Sequence, residues 1–580
     1  GALFVVPFIF LSPLGGIWAD SRPKRGLLVG LKAVELALML LVVPALAAGN
    51  VPALMVVLAL LGVQASLFSP VKLAVLPELV AEEDLSHANG LVQTTSFLGI
   101  VVGTLLAGLL AQDASPAGAA GFFAAASAAG LVVSLRIPEL PAVAPPSAEG
   151  LWARVRGDFA SLKAERGVLE ATVGSAYFWF LAAVLQMNLL VFGRTALGLG
   201  EAALSGLQTA MAVGIGVGSY AAGRLSRDQV ELGLVPAGAF GLVAAASALA
   251  FCGGTRSTAA GLVVLGLSAG LFAVPLQAYI QERSPAERRG GIIAAGNTLA
   301  FVGVLLASGF LWAMEGVFKL SAGQIFLVAA SMTAVVAVFI AWRLPDFLLR
   351  LMIYPVANAV YRIQVDGASN VPLRGGALLV VNHVSFLDAF FVAAATRRMV
   401  RFVMYRGYYE HPVLHPFVKA MGCIPISETD GPREIVRSLE GARRKLEEGE
   451  VVCIFAEGEI TRHGQMLRFR KGFERIVKGT SVPVVPVHLD RVWGSVFSFA
   501  GGRFFFKVPR RLPYPVTVSF GTPLPTATPA AEVRRAVSRL SAEAFRHRLE
   551  EVPPLGLNFA RAAKRRGLRP ALADSTGAKA

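Results

Sequence analysis

Long unbroken apolar runs fill the first 345 positions of the chain, and then the pattern changes. The runs lie near 1–19, 28–48, 52–69, 91–112, 117–135, 169–192, 204–223, 232–252, 258–280, 291–313 and 322–342. Each approaches the ~20 residues that a helix needs to cross ~30 Å of hydrocarbon. Eleven in succession, separated by short polar segments, exclude a soluble helical core and predict an all-α polytopic membrane bundle. Beyond 345 the apolar stretches shrink to strand length: Ala377–Val381, Val451–Phe455, and a third from Val482 to Val487. These read as buried strands.

Composition sharpens that division. With 55% hydrophobic residues, 16% charged and a mean hydropathy of +0.61, the chain is too apolar for a soluble enzyme or a disordered polymer. Of 54 Lys/Arg and 38 Asp/Glu, residues 1–345 hold 19 and 18, a balance of +1, so residues 346–580 carry +15 of the net +16. Two physically different objects join near Pro345. Cys252, Cys423 and Cys453 are scattered, which excludes a disulfide framework and a cysteine-built zinc site. Cys423 and Cys453 stand in strand contexts and read as small core residues. His411 and His415 flank Pro412 on what reads as a surface turn, and no metal site is expected.

Loop charge predicts orientation. One alternate set of connections carries Arg22, Lys24 and Arg25, Lys72, Arg136 through Arg166, Arg224 and Arg227, then Arg283, Arg288 and Arg289. The other set carries only Arg194, Arg256 and Lys319. The basic set, and with it everything after Arg343 and Arg350, is expected on the cytoplasmic side. Polar residues within spans face cavities or other helices. Lys32 and Glu35, three apart on one helical face, are expected to pair. Gln64, Gln93, Gln186, Asn188, Gln208 and Asn297 are further candidates for substrate contact or helix pairing.

The stretch Gly16-Ile-Trp-Ala-Asp20-Ser-Arg22-Pro-Lys24-Arg25 resembles the loop between the second and third helices of major facilitator superfamily transporters. Gly223-Arg224-Leu-Ser-Arg227-Asp228 stands in the corresponding place of the second half, and the longest connection (137–168) falls between two helical sets. That alignment implies 11 of 12 helices, with the first missing, in keeping with a start at Gly1 inside an apolar run. It gives Asp20, with the nearby Arg22, Lys24 and Arg25, a latching role at the cytoplasmic helix ends, against the alternative of a loop that only sets topology. Phe68-Ser-Pro70-Val-Lys72, Gln186-Met187-Asn188 and Val274-Pro275-Leu276 resemble the lysophospholipid-transporting branch. Lysophospholipid as cargo comes from that resemblance.

The segment Phe347 to Pro355, then Tyr361-Arg362, mixes apolar, aromatic and basic residues and reads as an interfacial linker. After it, the strand ending at Val381 runs into Asn382-His383-Val-Ser385-Phe-Leu-Asp388. Ser385 followed three residues later by Asp388 is a capping-box signature, so a helix is predicted there with Asp388 in its first turn, reaching back to His383. A histidine held by a carboxylate is a general base, and no Ser or Cys nucleophile is needed when the substrate brings a hydroxyl. The strand Val451–Phe455 leads into Ala456-Glu457-Gly458, and Arg462, His463, Arg468, Arg470 and Lys471 supply enough cations to grip a phosphodiester.

The order Asn-His-x-Ser-x-x-Asp, then Gly422-Cys-Ile-Pro425-Ile426, then Phe455-Ala-Glu-Gly458, then Val482-Pro-Val-Val-Pro-Val487 resembles the glycerolipid acyltransferase family over roughly 360–545. The resemblance implies an α/β fold and acyl transfer from a thioester of acyl carrier protein or coenzyme A to a lysophospholipid hydroxyl. His383 is implied as base, Asp388 as its orienting partner, and Asn382, Glu457, Gly458, Arg462 and Lys471 as substrate-binding. Ala456 stands where the family usually has Pro, Glu459 follows the Gly, and Arg462 comes late, which leaves open which cation holds phosphate. Ser427 and Glu428 stand where phosphatidate-making members commonly carry Arg, which favours a lysophosphatidylethanolamine-type acceptor.

Arg443-Arg444-Lys445 with Glu447 and Glu448 reads as a solvated helix face. Arg503-Phe-Phe-Phe-Lys507, with Arg510 and Arg511, suits anionic lipid better than nucleic acid beside a membrane domain. Residues 558–580, with Lys564 and Asp574, resemble the opening of an acyl-adenylate-forming domain, against the alternative of a basic tail. ATP and Mg would belong to that domain, and no cofactor is expected before it. The expected organisation is a transporter over 1–345, a linker over 346–366, an acyltransferase over 367–550 and a truncated adenylation domain over 555–580. Together they resemble the acyl-acyl-carrier-protein synthetase/2-acylglycerophosphoethanolamine acyltransferase fusions, placed in the bacterial inner membrane. Two other readings stay open: a phosphatidate-forming enzyme with a membrane anchor, and a solute exporter with an inactive acyltransferase-like domain.

Overall fold

The computed structural model describes the chain apart from residues 1, 82–83, 114–115, 144–149, 227–229, 344–359, 373–374, 397, 428, 505–506, 508–512, 552–555, 557–558 and 560–580. Arg227, Asp228, Glu428, Arg510, Arg511, the stretch Phe347 to Pro355 and nearly all of the adenylation-like tail therefore lie outside the described residues. Two compact units divide at Leu348 and Leu349.

The first unit is helical: α1 (Ala2–Ser21), α2 (Lys24–Ala47), α3 (Val51–Ala74), α4 (Leu76–Leu79), α5 (Leu85–Asp113), α6 (Pro116–Ser134), α7 (Leu151–Ala164), α8 (Arg166–Thr195), α9 (Glu201–Leu225), α10 (Leu234–Leu249), α11 (Thr255–Arg283), α12 (Arg289–Trp312) and α13 (Ala322–Arg343). A helix lies over each of the eleven predicted spans. Eight of the described helices are long and apolar enough to cross a membrane, and two described apolar segments, Ala120–Ser134 and Leu234–Leu249, are shorter. The chain signals its own turns. Gly49 takes a left-handed φ of 63° after α2, Asn50 accepts the Ala53 N–H at 3.1 Å, and Pro52 opens α3.

Two α-helices were not anticipated in the connections. The short α4 follows α3, and α7 forms within the long middle connection, burying Asp158 and Leu162. The α1–α12 contact depends on glycine. A Cβ on Gly290 would lie 2.6 Å from the Gly16 carbonyl oxygen, so only glycine lets the first turn of α12 approach α1 this closely.

The second unit is built on a seven-stranded sheet: β1 (Tyr361–Asp366), β2 (Ala377–Val381), β3 (Val400–Tyr405), β4 (Ile424–Ile426), β5 (Val451–Phe455), β6 (Val484–Asp490) and β7 (Tyr514–Phe520). Their order is β1-β7-β6-β2-β5-β3-β4, with β6 and β7 antiparallel and the other neighbours parallel. All five residues of β2 are buried, as a central strand covered on both faces requires. Side chains alternate between two cores: Leu379, Val381 and Cys453 in one, Leu378, Val380 and Val452 in the other. Cys423 and Cys453 are buried, and burial pushes the Cys453 thiol well up, which keeps it a core group.

The helix Pro432–Glu447 buries Leu439, Ala442 and Leu446 and leaves Arg443 donating to Glu447 at 2.8 Å on its outer face, as the charge run implied. On β6, His488 is buried near Asp490 and Arg548 of the helix Ala530–Glu551. Burial lowers its imidazole to about 4.

Candidate functional site

The carboxyl ends of parallel strands form the crevice in which an α/β sheet presents its chemistry. Here β2 and β5 pair in register up to Val381 and Phe455, and the residues just beyond them build the site. His383 follows β2 by two positions, and its ring stacks on Phe455 with centroids 4.3 Å apart. Its Nδ1 lies 2.8 Å from Oδ2 of Asp388, a fully buried carboxylate. The same oxygen accepts the backbone N–H groups of Val384 at 2.6 Å and Ser385 at 2.9 Å. Three donors thereby fix the carboxylate, and the carboxylate fixes the ring.

The predicted capping box forms only in part. The helix runs Asp388–Ala395, and Ser385 Oγ accepts from Leu387 rather than from Asp388. The Asp388 carboxylate does return to the Ser385 N–H, as a box requires, but it is shared with the imidazole. The helix therefore starts two residues later than the signature suggested, with Leu387 rather than Ser385 at its N-cap.

Glu457 is a bracket. Its Oε1 accepts the His383 N–H at 2.8 Å and its Oε2 the Leu467 N–H at 2.6 Å, which ties the segment after β5 to His383 and to the following loop. Burial raises this carboxyl above its usual range, and the two backbone N–H groups act against that rise. Gly458 has φ of 81°, and a Cβ there would sit 2.5 Å from Nε of Arg470. The glycine is required both by conformation and by the approach of that guanidinium.

Asn382 is used differently from the expectation. It is buried, its Oδ1 accepts from Leu489 N at 2.8 Å, and its Nδ2 donates to the Leu489 carbonyl at 3.3 Å. With the amide engaged on Leu489 of β6, it clamps two strands. Arg462 is exposed with its guanidinium 5.7 Å from the Phe499 ring centre, and Lys471 is exposed just before the helix Gly472–Val477. Arg470, which sequence reasoning placed only among five cations, is the one of them that lines the cavity beside His383. Its position follows from Arg470 N donating to the Ala456 carbonyl at 2.8 Å, a contact with no local signature.

That cavity has a volume of about 480 Å³. His383, Gly458 and Arg470 provide polar points, and Phe386, Phe402, Met404, Val418, Met421, Leu439, Ile454 and Phe473 provide apolar wall. A carboxylate-held histidine in the wall of an apolar cavity suits a substrate that joins a polar group to a hydrocarbon.

In the helical unit, Asp20 lies in the last turn of α1. Its Oδ1 accepts the Gly290 N–H at 2.7 Å and its Oδ2 the Gly291 N–H at 3.0 Å, so it sits on the N-terminus of α12, where backbone donors and the helix dipole favour an anion. Arg154 of α7 lies 3.9 Å from Asp20, and Asp158 lies 3.8 Å from Arg154 and 3.5 Å from Arg288. Charges from α1, α7 and the start of α12 thus meet at one helix end. The adjacent basic residues do not join them. Arg22 packs 4.9 Å from the Trp18 ring centre, Lys24 pairs with Glu78 at 2.5 Å, and Arg25 pairs with Glu139 at 2.7 Å. The expected latch partners of Asp20 are replaced by two glycine amides and an arginine far along the chain.

Lys32 and Glu35 pair at 2.8 Å, as their spacing predicted, and Gln64 and Ser127 donate to Glu35 at 3.3 and 3.2 Å. Asn188 is buried and donates to the Ala322 carbonyl at 2.9 Å, which ties α8 to α13, while Gln186 is exposed. Asn297 donates to Ser69 at 3.1 Å. A buried pair missed in the sequence, Asn89 and Gln281, joins α5 and α11 through reciprocal amide bonds of 2.6 and 3.2 Å.

Fold and site together define a polytopic membrane transporter joined to an α/β acyltransferase. Residues 1–308 match the Major Facilitator Superfamily and residues 362–490 the Acyltransferase family. The chain belongs to the Major Facilitator Superfamily, and its second unit is an acyltransferase. It is 32% identical over 302 residues to the lysophospholipid transporter LplT of Serratia proteamaculans, covering 51% of this chain and 72% of that protein. It is also 32% identical over 325 residues to the LplT of Pectobacterium carotovorum, covering 55% and 75%. Its transporter half is thus of the same family as these proteins. The crystal structure of the human organic anion transporter MFSD10 shares the helical fold, with a TM-score of 0.50 at 16% identity, covering 58% of this chain and 82% of that one.

Proposed function

We propose that the chain moves lysophospholipid across the bacterial inner membrane and reacylates it on the cytoplasmic side. The substrate class is that of the 2-acylglycerophosphoethanolamines, and the acyl donor is a thioester of acyl carrier protein or coenzyme A. The observation that carries the reading is the oriented His383–Asp388 pair opening onto an apolar cavity, in a chain whose other half belongs with lysophospholipid transporters. Sidedness rests on the loop-charge asymmetry. In the reaction, the acceptor hydroxyl loses its proton to Nε2 of His383 as its oxygen attacks the thioester carbonyl. The new ester C–O bond forms, the C–S bond breaks, and the imidazolium returns the proton to the departing thiolate. Asp388 holds the tautomer and stabilises the imidazolium, the cavity takes the acyl chain, and Arg470 at its wall faces the acceptor phosphate. Asp20, seated on α12, acts as the latch of one transport state.

The test is His383→Ala in proteoliposomes carrying labelled lysophosphatidylethanolamine. Acyl transfer should vanish while lipid translocation continues. Equal loss of both activities, or transfer that survives the substitution, overturns the reading. Comparing lysophosphatidylethanolamine with lysophosphatidate as acceptor separates it from a phosphatidate-forming enzyme.

A further inference from the structure

Between β3 and β4 the chain folds into a hairpin of two short helices, Arg406–Tyr409 and His415–Ala420. Within thirteen residues it exposes five large apolar or aromatic side chains: Tyr405 (54%), Tyr408 (44%), Val413 (67%), Leu414 (41%) and Phe417 (54%). Soluble surfaces rarely gather so many in one place. The hairpin is also fastened rather than frayed. His415 bonds through Nδ1 to the Tyr409 carbonyl at 2.8 Å and meets the Tyr409 ring edge-on at 5.2 Å, while Arg406 forks onto Asp430 with contacts of 3.0 Å. Its apolar side chains are held outward by a closed frame, so they are not core residues left unpacked.

The inner side of the same hairpin is wall of the cavity that contains His383, through Tyr408, Val418 and Met421. Tyr405 and Tyr408 are partly exposed and also line that cavity, while Val413, Leu414 and Phe417 are exposed without lining it, so one element presents an apolar face outward and bounds the chamber inward. We propose that this hairpin is a bilayer-docking element, which seats the mouth of the chamber on the phospholipid surface so that an acyl chain passes between bilayer and cavity without crossing water. The proposal rests on the lysophospholipid reading above. Tyrosines flanking aliphatic residues, with Lys419 exposed on the second helix, form the mixture that lies at headgroup depth. The membrane-spanning helices of the first unit keep a bilayer at high effective concentration, so the hairpin needs only marginal affinity of its own. An acidic protein partner would call for a cationic patch, and this face is apolar, with Glu410 exposed beside it.

The test uses the full chain, with Cys252 replaced by Ser, in vesicles of phosphatidylethanolamine and phosphatidylglycerol. An environment-sensitive probe at Val413→Cys is compared with one at Glu440→Cys, which is exposed on the helix Pro432–Glu447. Lipid-borne quenchers should reach the first probe and aqueous iodide the second. Iodide quenching at both positions, or protection of the first probe by added acyl carrier protein instead of by lipid, overturns the proposal. A second arm introduces Val413→Asp with Phe417→Asp. Transfer to bilayer-held lysophospholipid should fall by about tenfold or more, because carboxylates resist contact with hydrocarbon. Transfer to a water-soluble short-chain acceptor and thermal melting should be unchanged. Equal loss on both acceptors, or none, overturns docking. Absence of transfer to either acceptor by the parent chain would instead sink the enzymatic reading, and the probe arm would still decide the docking.

Discussion

Oδ2 of Asp388 accepts from three donors at once, the His383 ring at 2.8 Å and the backbone N–H groups of Val384 and Ser385. One carboxylate oxygen thus sets both the tautomer of His383 and the turn that carries it. Replacement by asparagine keeps the shape but removes the charge and invites the wrong tautomer. Asp388→Asn should lower turnover by roughly 10³–10⁴-fold, the scale seen when the orienting carboxylate of a catalytic histidine is neutralised in other enzymes. KM should change little. Steady-state acyl transfer to lysophospholipid in vesicles, with a melting curve alongside, checks this.

Cavity lining separates the candidate cations. Arg470→Ala should raise KM for phosphate-bearing acceptors by about tenfold or more, the loss of one charge-assisted contact. Arg462→Ala and Lys471→Ala, away from the lining, should shift it by less than about threefold. The ranking is read from acceptor titrations at fixed thioester, and the reverse order would move the phosphate site.

Gly290 and Asp20 form a matched pair. Gly290→Ala places a Cβ 2.6 Å from the Gly16 carbonyl and 2.7 Å from the Asp20 carboxylate, so α12 must move away from α1. Asp20→Asn leaves the geometry and removes the anion. Helix N-terminal interactions of this kind are worth about 0.5–2 kcal/mol, so under the proposed latch each change should shift the balance of transport states by roughly 2–30-fold. Translocation rates in vesicles, with cysteine accessibility at this helix end, would show it. Wild-type behaviour in both variants would reduce Asp20 to a topological residue.

His488 titrates near 4 when folded, below the ordinary histidine value of 6.5. Between those values the unfolded chain binds the proton that the folded one refuses, so stability is full above 6.5 and declines as pH falls toward 4. The decline attributable to this residue is on the order of 3 kcal/mol. His488→Gln should flatten it, visible as a smaller difference between denaturant midpoints of the second unit at low and neutral pH.

Local pattern sufficed for a good deal. Apolar run length located eleven helices, because crossing hydrocarbon imposes a span on any sequence. The short strand before His383 and the helix after it were readable because three to five residues decide them, and the Lys32–Glu35 pair because both lie on one helical face. What local pattern missed depends on residues brought together from afar. Asp20 meets Gly290, Gly291 and Arg154 instead of its basic neighbours because two glycines let α1 and α12 touch. Asn382 bonds to Leu489 because β6 lies beside β2. Arg470 rather than Arg462 reaches the cavity because its backbone is anchored on Ala456. The sequence by itself determined which segments span, which form strands, and which histidine has a carboxylate within reach, since these are properties of neighbours along the chain. Only the tertiary structure decided which polar groups satisfy each other and which line the cavity, since a hydrogen bond is a matter of three-dimensional proximity and each donor goes to the acceptor that packing brings nearest.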